Sequence, residues 1–179
     1  MKYNPFEEKL MAHPTKRTIL LMRHAKSSWN DPYLSDFDRP LNQRGKNDAP
    51  RMGEYLKGLG MKPGRIVSSP AARAKATILK VLKAMDLPED LLECDESLYF
   101  TGPGSYVEAI RETDDRLNSV MTVGHNPMTE EVISLLSKSL VHKHIATATI
   151  ACLEVSLTSW KDLEYGSCDV KWITSPKEI

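Results

Sequence analysis

The chain has 179 residues, carries 24 Lys plus Arg against 24 Asp plus Glu, and is 41% apolar. That length suits one compact domain burying roughly 70% of the surface of its unfolded form. The balanced charge, with no basic run or RNA-binding signature, excludes nucleic acid as the expected partner and requires any anionic ligand to be caught by local groups.

The apolar runs are far too short to span a bilayer, and MKYNPFEEKLMAHPTKR has no signal-peptide apolar region, so the sequence predicts a cytoplasmic protein with no membrane partner. Residues 1–16 read as a polar, proline-punctuated arm preceding a single domain over 17–179. RTILLM (17–22) is a continuous branched apolar run and predicts a central strand covered on both faces. It ends in Arg23 and His24, a cation and an imidazole at the carboxyl end of a strand.

DPYLSDFDRPLNQR (31–44) predicts a loop, and Ala49, Met52, Tyr55, Leu56 and Leu59 recur at helical spacing, with the reliable helix starting near Pro50. RIVSS (65–69) predicts a second strand, followed by a helix with Ser69 as cap and Pro70 in its first turn. LLECDESL holds a short strand and GSYVEAIRETDD a helix. SVMTVG is a further strand, ending in Gly124, His125 and Asn126 before the helix PMTEEVISLLSKSL. ATIACLEVSL and CDVKWITS form a carboxyl-terminal strand pair. The alternation predicts an α/β fold, a three-layer α/β/α sandwich whose mostly parallel central sheet carries an antiparallel edge.

In open α/β sheets ligands bind at the carboxyl ends of the strands. Three such ends supply Arg23 with His24, Ser68 and Ser69 with Arg73, and His125 with Asn126. Two arginines and two histidines suit a phosphoryl group, because a guanidinium presents a planar fork of donors that stays charged. No G-x-x-x-x-G-K-[ST] phosphate loop is present, and Asp36 and Asp38 form a D-x-D in a polar loop, away from any strand end. Neither a zinc signature nor a Cys-x5-Arg pattern occurs, since six residues beyond Cys94, Cys152 and Cys168 stand Phe100, Thr158 and Thr174. The residues therefore predict no metal and no cofactor, with histidine as nucleophile.

Arg23, His24 and Ala25, with Ser27 and Asn30 following, resemble the Arg-His-Gly signature of the histidine phosphatase superfamily, the phosphoglycerate-mutase-like fold. The similarity is to its small phosphohistidine phosphatase subfamily, the SixA-like proteins. It runs through DFDRPLNQRG, SSPAARAKAT and VGHNP to the ATIACLEVSL and WITSP tail. The resemblance implies that His24 becomes phosphorylated, that Arg23 and Arg73 bind phosphoryl oxygens, and that His125 serves the same group. It adds Asn30, Ser27 and Asn126 as substrate-binding residues. The implied substrate is phosphohistidine on a partner protein such as a phosphotransfer domain.

Two departures stand out. Ala25 replaces the glycine after Arg-His, and Phe100 falls where mutases and many monoester phosphatases carry an acidic residue, leaving Glu96 or Asp95 as candidate acids. A missing acid tilts the expectation toward phosphohistidine, because an alkoxide needs a proton to leave and gains about 10²–10⁴ in rate from one. The alternatives are a phosphatase of small monoesters using Glu96 or Asp95, and a phosphate-binding module without turnover.

Overall fold

The computed structural model describes residues 13–179. Six strands form one sheet in the order β3-β2-β4-β1-β5-β6. They are β1 (Thr15–Arg23), β2 (Arg65–Ser68), β3 (Leu92–Cys94), β4 (Ser119–Gly124), β5 (Ile150–Leu157) and β6 (Asp169–Thr174). The first four run parallel, whereas β5 pairs antiparallel with β1 and β6 antiparallel with β5. Four helices cover the faces: α1 (Gln43–Gly58), α2 (Ala72–Ala84), α3 (Pro103–Arg111) and α4 (Met128–Leu136).

Side chains alternate across a strand, so β1 divides its apolar residues between two cores. Ile19 and Leu21 pack with Tyr106, Val107 and Ile110 of α3 and Val132 and Ile133 of α4. Leu20 and Met22 pack with Met52 and Leu56 of α1 and Ile78 and Val81 of α2. Two helices on each face account for the three layers, and each buried Leu, Ile or Val side chain contributes about 1.5–3 kcal/mol of transfer free energy. No helix among the described residues is long and apolar enough to cross a membrane.

Some boundaries differ from the expectation. Of the arm over 1–16, residues 1–12 lie outside the described residues, while Thr15 and Lys16 belong to β1 and pair with Leu157 and Ser156. Helix α1 begins at Gln43, well before Pro50, because the Asn42 side chain caps it by accepting the Gly45 N–H at 2.9 Å. The proline inside it costs a hydrogen bond that burial of Gly45, Ala49, Met52 and Leu56 offsets. Helix α2 starts at Ala72, and Ser69 does not cap it. The Ala72 N–H goes instead to the Phe37 carbonyl at 3.0 Å, which ties the loop after β1 to the start of this helix.

Candidate functional site

Register places the three predicted strand ends side by side. Arg23 of β1 lies opposite Gly124 of β4, and Ser68 of β2 opposite Val123. The ladder continues beyond the strands, with His24 N–H donating to Gly124 O at 2.8 Å and Ser69 N–H to Val123 O at 2.9 Å. The His24 and His125 rings therefore meet, centroids 5.0 Å apart. Arg73 reaches them from the first turn of α2, donating its Nε–H to His24 Nε2 at 3.2 Å.

The tautomer of His24 follows from its other nitrogen. Nδ1 lies 2.7 Å from the Ala25 carbonyl, which can only accept, so Nδ1 carries the proton and Nε2 keeps its lone pair. Burial lowers the His24 pKa to about 4; the Ala25 carbonyl opposes this, and the fields of Arg73, Arg23 and Arg39 add to it. The ring is a neutral imidazole at pH 7 with its free electron pair beside a guanidinium. Arg23 is half-buried and gives one N–H to the Ile145 carbonyl at 2.7 Å; burial lowers its pKa, against the pull of Glu130.

His125 is held from two directions. Its backbone N–H donates to the Tyr106 hydroxyl at 3.1 Å, and that hydroxyl donates to the Leu98 carbonyl at 3.0 Å. A β-carbon at Gly124 would overlap the Tyr106 hydroxyl, so only glycine admits this brace. The His125 Nε2 is 2.8 Å from Ser69 Oγ, which also accepts the Ala71 N–H at 3.3 Å, one residue short of the helix. Burial first, then the fields of His24 and Arg73, lower the His125 pKa to about 3, with Asp36 acting in opposition. Three buried polar atoms around the two rings lack a hydrogen-bond partner: Arg23 Nε, His125 Nδ1 and Asn126 Oδ1. Two of these, Arg23 Nε and His125 Nδ1, belong to side chains able to donate a hydrogen bond to an anion.

A carboxylate from the polar loop after β1, Asp36, also lies at the site. Asp36 accepts from Arg73 Nη2 at 2.8 Å, from the Tyr99 hydroxyl at 3.0 Å and from Arg39 Nη1 at 2.6 Å, and its carbonyl accepts from Arg73 Nη1. Burial raises the Asp36 pKa, but the hydrogen bonds from Arg39, Tyr99 and Arg73 outweigh it and hold the carboxyl below its usual value. Arg39 is itself buried, donates to Ser27 Oγ and to the Ser28 carbonyl, and lies over the Trp29 ring.

The remaining predicted residues divide. Ser27 is buried but reaches the site only through Arg39. Asn126 donates to Glu130 and to the Ile145 carbonyl, both at 3.1 Å, and so shares an acceptor with Arg23. Asn30 is exposed and its backbone N–H turns back onto Ser28 Oγ, which leaves its side chain without a hydrogen bond among the described residues. Glu96 is exposed in a single 3-10 turn, and Asp95 caps that turn by accepting the Ser97 N–H, so neither carboxylate is aimed at the imidazoles by a contact. Phe100 occupies the flank instead, its ring stacked on His125 with centroids 5.1 Å apart and planes 22° from parallel. Tyr99 meets His125 edge-on at 5.5 Å. Ala25 has an ordinary φ and is buried, so the position needs no glycine; its N–H donates to Thr77 Oγ1 at 2.9 Å.

The chain is similar to known proteins in both sequence and fold. A family model described as the histidine phosphatase superfamily (branch 1) matches residues 19–99. An uncharacterised chloroplastic protein of Arabidopsis thaliana is 31% identical over 154 residues, 82% of this chain and 70% of that protein. The phosphohistidine phosphatase SixA of Escherichia coli K12 is 24% identical over 164 residues, 88% of this chain and 93% of the relative. A solved protein histidine phosphatase SixA complexed with tungstate superimposes with a TM-score of 0.77 at 23% identity, covering 89% of this chain and 97% of that one. With its strand order, its Arg-His pair and its second histidine in place, the chain belongs to the histidine phosphatase superfamily, as a SixA-like phosphatase.

Proposed function

We propose that the protein removes phosphoryl groups from phosphohistidine on a partner protein, through a phospho-His24 intermediate. His24 Nε2 attacks phosphorus while Nδ1–H stays on the Ala25 carbonyl, where the charge that builds on the ring is dispersed. For this, Arg73 must release Nε2 and turn the same N–H to a phosphoryl oxygen. Arg23 Nε and His125 Nδ1 supply further donors, and together these groups neutralise the phosphoryl charge. In the first step the substrate N–P bond breaks, its electron pair returns to the leaving imidazole, and a new N–P bond forms at His24. In the second, water attacks phosphorus, the His24 nitrogen recovers its pair, and both water protons depart with dihydrogen phosphate.

The observation that carries the choice of substrate is the flank of His125, where the Phe100 ring stands in place of a carboxylic acid. An ester alkoxide would leave there without a proton. A phosphohistidine departs as an imidazole, a far weaker base, and tolerates that surface. Exposed aromatic side chains around the mouth, Trp29, Phe37 and Phe100, favour a protein-borne group over a small metabolite.

Incubation with a phosphohistidine-bearing protein carrying labelled phosphate tests the reading. Label should appear on the enzyme in acid-labile, base-stable form and be absent from His24→Ala. Hydrolysis of 3-phosphoglycerate as fast as phosphohistidine would overturn it.

A further inference from the structure

Asp36 has no part in the two-step scheme above, yet it is the one carboxylate hydrogen-bonded to Arg73 among the described residues. Its side chain is 43% exposed, whereas that of Arg73 is 3% exposed, so the pair runs from the interior to the mouth of the site. Phe37 and Tyr99 stand beside it with rings edge-on at 5.1 Å, and Tyr99 in turn touches both Phe100 and His125. The mouth is thus a set of aromatic rings around one anchored carboxylate.

The charge state of that carboxylate decides what it can do. The groups that face it are Arg39 from its own loop, Arg73 from α2, Tyr99 from the turn after β3, and His125 beyond β4. The two guanidinium groups and the Tyr99 hydroxyl all donate to it, and burial together with Asp36 itself raises the Tyr99 pKa, so the hydroxyl keeps its proton. A carboxylate held ionised in this way cannot protonate an ester oxygen at neutral pH, but it is a strong acceptor for an N–H.

A phosphorylated imidazole needs such an acceptor. If its distal nitrogen carries a proton, breaking the N–P bond releases a neutral imidazole; if it does not, the leaving group is an imidazolide anion, a poor one. We propose that Asp36 accepts the distal N–H of the substrate's phosphohistidine ring, holding it in the protonated form so that it departs as neutral imidazole. The balance is complete: the proton is on the ring before and after transfer, the N–P electron pair stays with the leaving nitrogen, and Asp36 remains a carboxylate. This inference rests on the phosphohistidine reading and names the residue that would confer its selectivity over esters.

The test compares N-phosphorylimidazole with p-nitrophenyl phosphate, whose leaving group has no N–H. Asp36→Asn should lower the ratio of kcat/KM for phosphorylimidazole over p-nitrophenyl phosphate about 10- to 100-fold. In the wild type, the alkaline limb of the kcat profile at saturating phosphorylimidazole, which reports the bound substrate, should lie about one pH unit or more above the free substrate's own titration. The variant limb should fall back to it. The wild-type profile needs no variant to fold, and a limb coincident with the free substrate overturns the role of Asp36. An equal loss on both substrates in Asp36→Asn also overturns it and leaves the residue as a prop for Arg73. A wild type that does not turn over phosphorylimidazole at all would overturn the underlying phosphohistidine reading as well.

Discussion

The two buried imidazoles should make the fold sensitive to mild acid. His24 is 8% and His125 1% exposed, and their pKa values fall from 6.5 to about 4 and about 3. Between pH 6.5 and those values the unfolded chain binds protons that the folded chain refuses, so stability rises with pH there and is lost on acidification. At 1.36 kcal/mol per pK unit, moving from pH 7 to pH 5 costs about 2 kcal/mol per ring, or about 4 kcal/mol for the pair. Urea unfolding at the two pH values, for the wild type and for His24→Gln/His125→Gln, isolates this component, since carboxylates titrate alike in both. The wild type should lose about 4 kcal/mol more than the double variant. Equal losses would mean that the rings protonate freely in the folded state, against their burial beside Arg23 and Arg73.

Arg73→Lys should lower kcat/KM on phosphorylimidazole about 10²- to 10³-fold, because an ammonium cannot serve the phosphoryl group and Asp36 together; steady-state kinetics would reveal an unimportant fork by a loss below threefold. Gly124→Ala forces the Tyr106 hydroxyl and ring edge away and should destabilise the fold by about 1–3 kcal/mol in urea unfolding; an unchanged midpoint would refute the close approach. Phe100→Glu returns an acid to the His125 flank and should raise turnover of alkyl phosphates by up to about 10²-fold relative to wild type; no gain would place the leaving group elsewhere.

What the sequence displayed and what it hid divide along a physical line. Strand ends were legible because periodicity locates a strand and the residue after its last apolar position is then fixed in space, which is why Arg23, His24 and His125 could be read directly. Arg73 was legible once Pro70 marked the turn before a helix. Loop geometry carries no period. Asp36 therefore looked like a solvated member of a D-x-D, although three basic or hydroxyl side chains from separate segments converge on it. The spacing of Asp36 and Arg39, three residues apart in one short loop, was the available signal. Ser69 misled for a related reason: its hydroxyl accepts the Ala71 N–H in the turn ahead of the helix and meets the His125 ring as well, a partner that no sequence period reveals. Asn30 was placed by resemblance alone and Glu96 only as a stand-in for the acid that Phe100 displaces, and the described chain leaves both residues exposed.

The backbone around the two arginine-histidine neighbours is fastened on both sides of β1. Arg23 N–H reaches Thr149 O at 3.1 Å, Ala148 N–H is shared between Arg23 O and His24 O, and Ala25 N–H is taken by Thr77. A covalent group arriving on the His24 ring consequently loads a scaffold that has no slack to take up. Resting and modified enzyme should share one main-chain conformation, and amide exchange at residues 23–25 should be as slow in one as in the other.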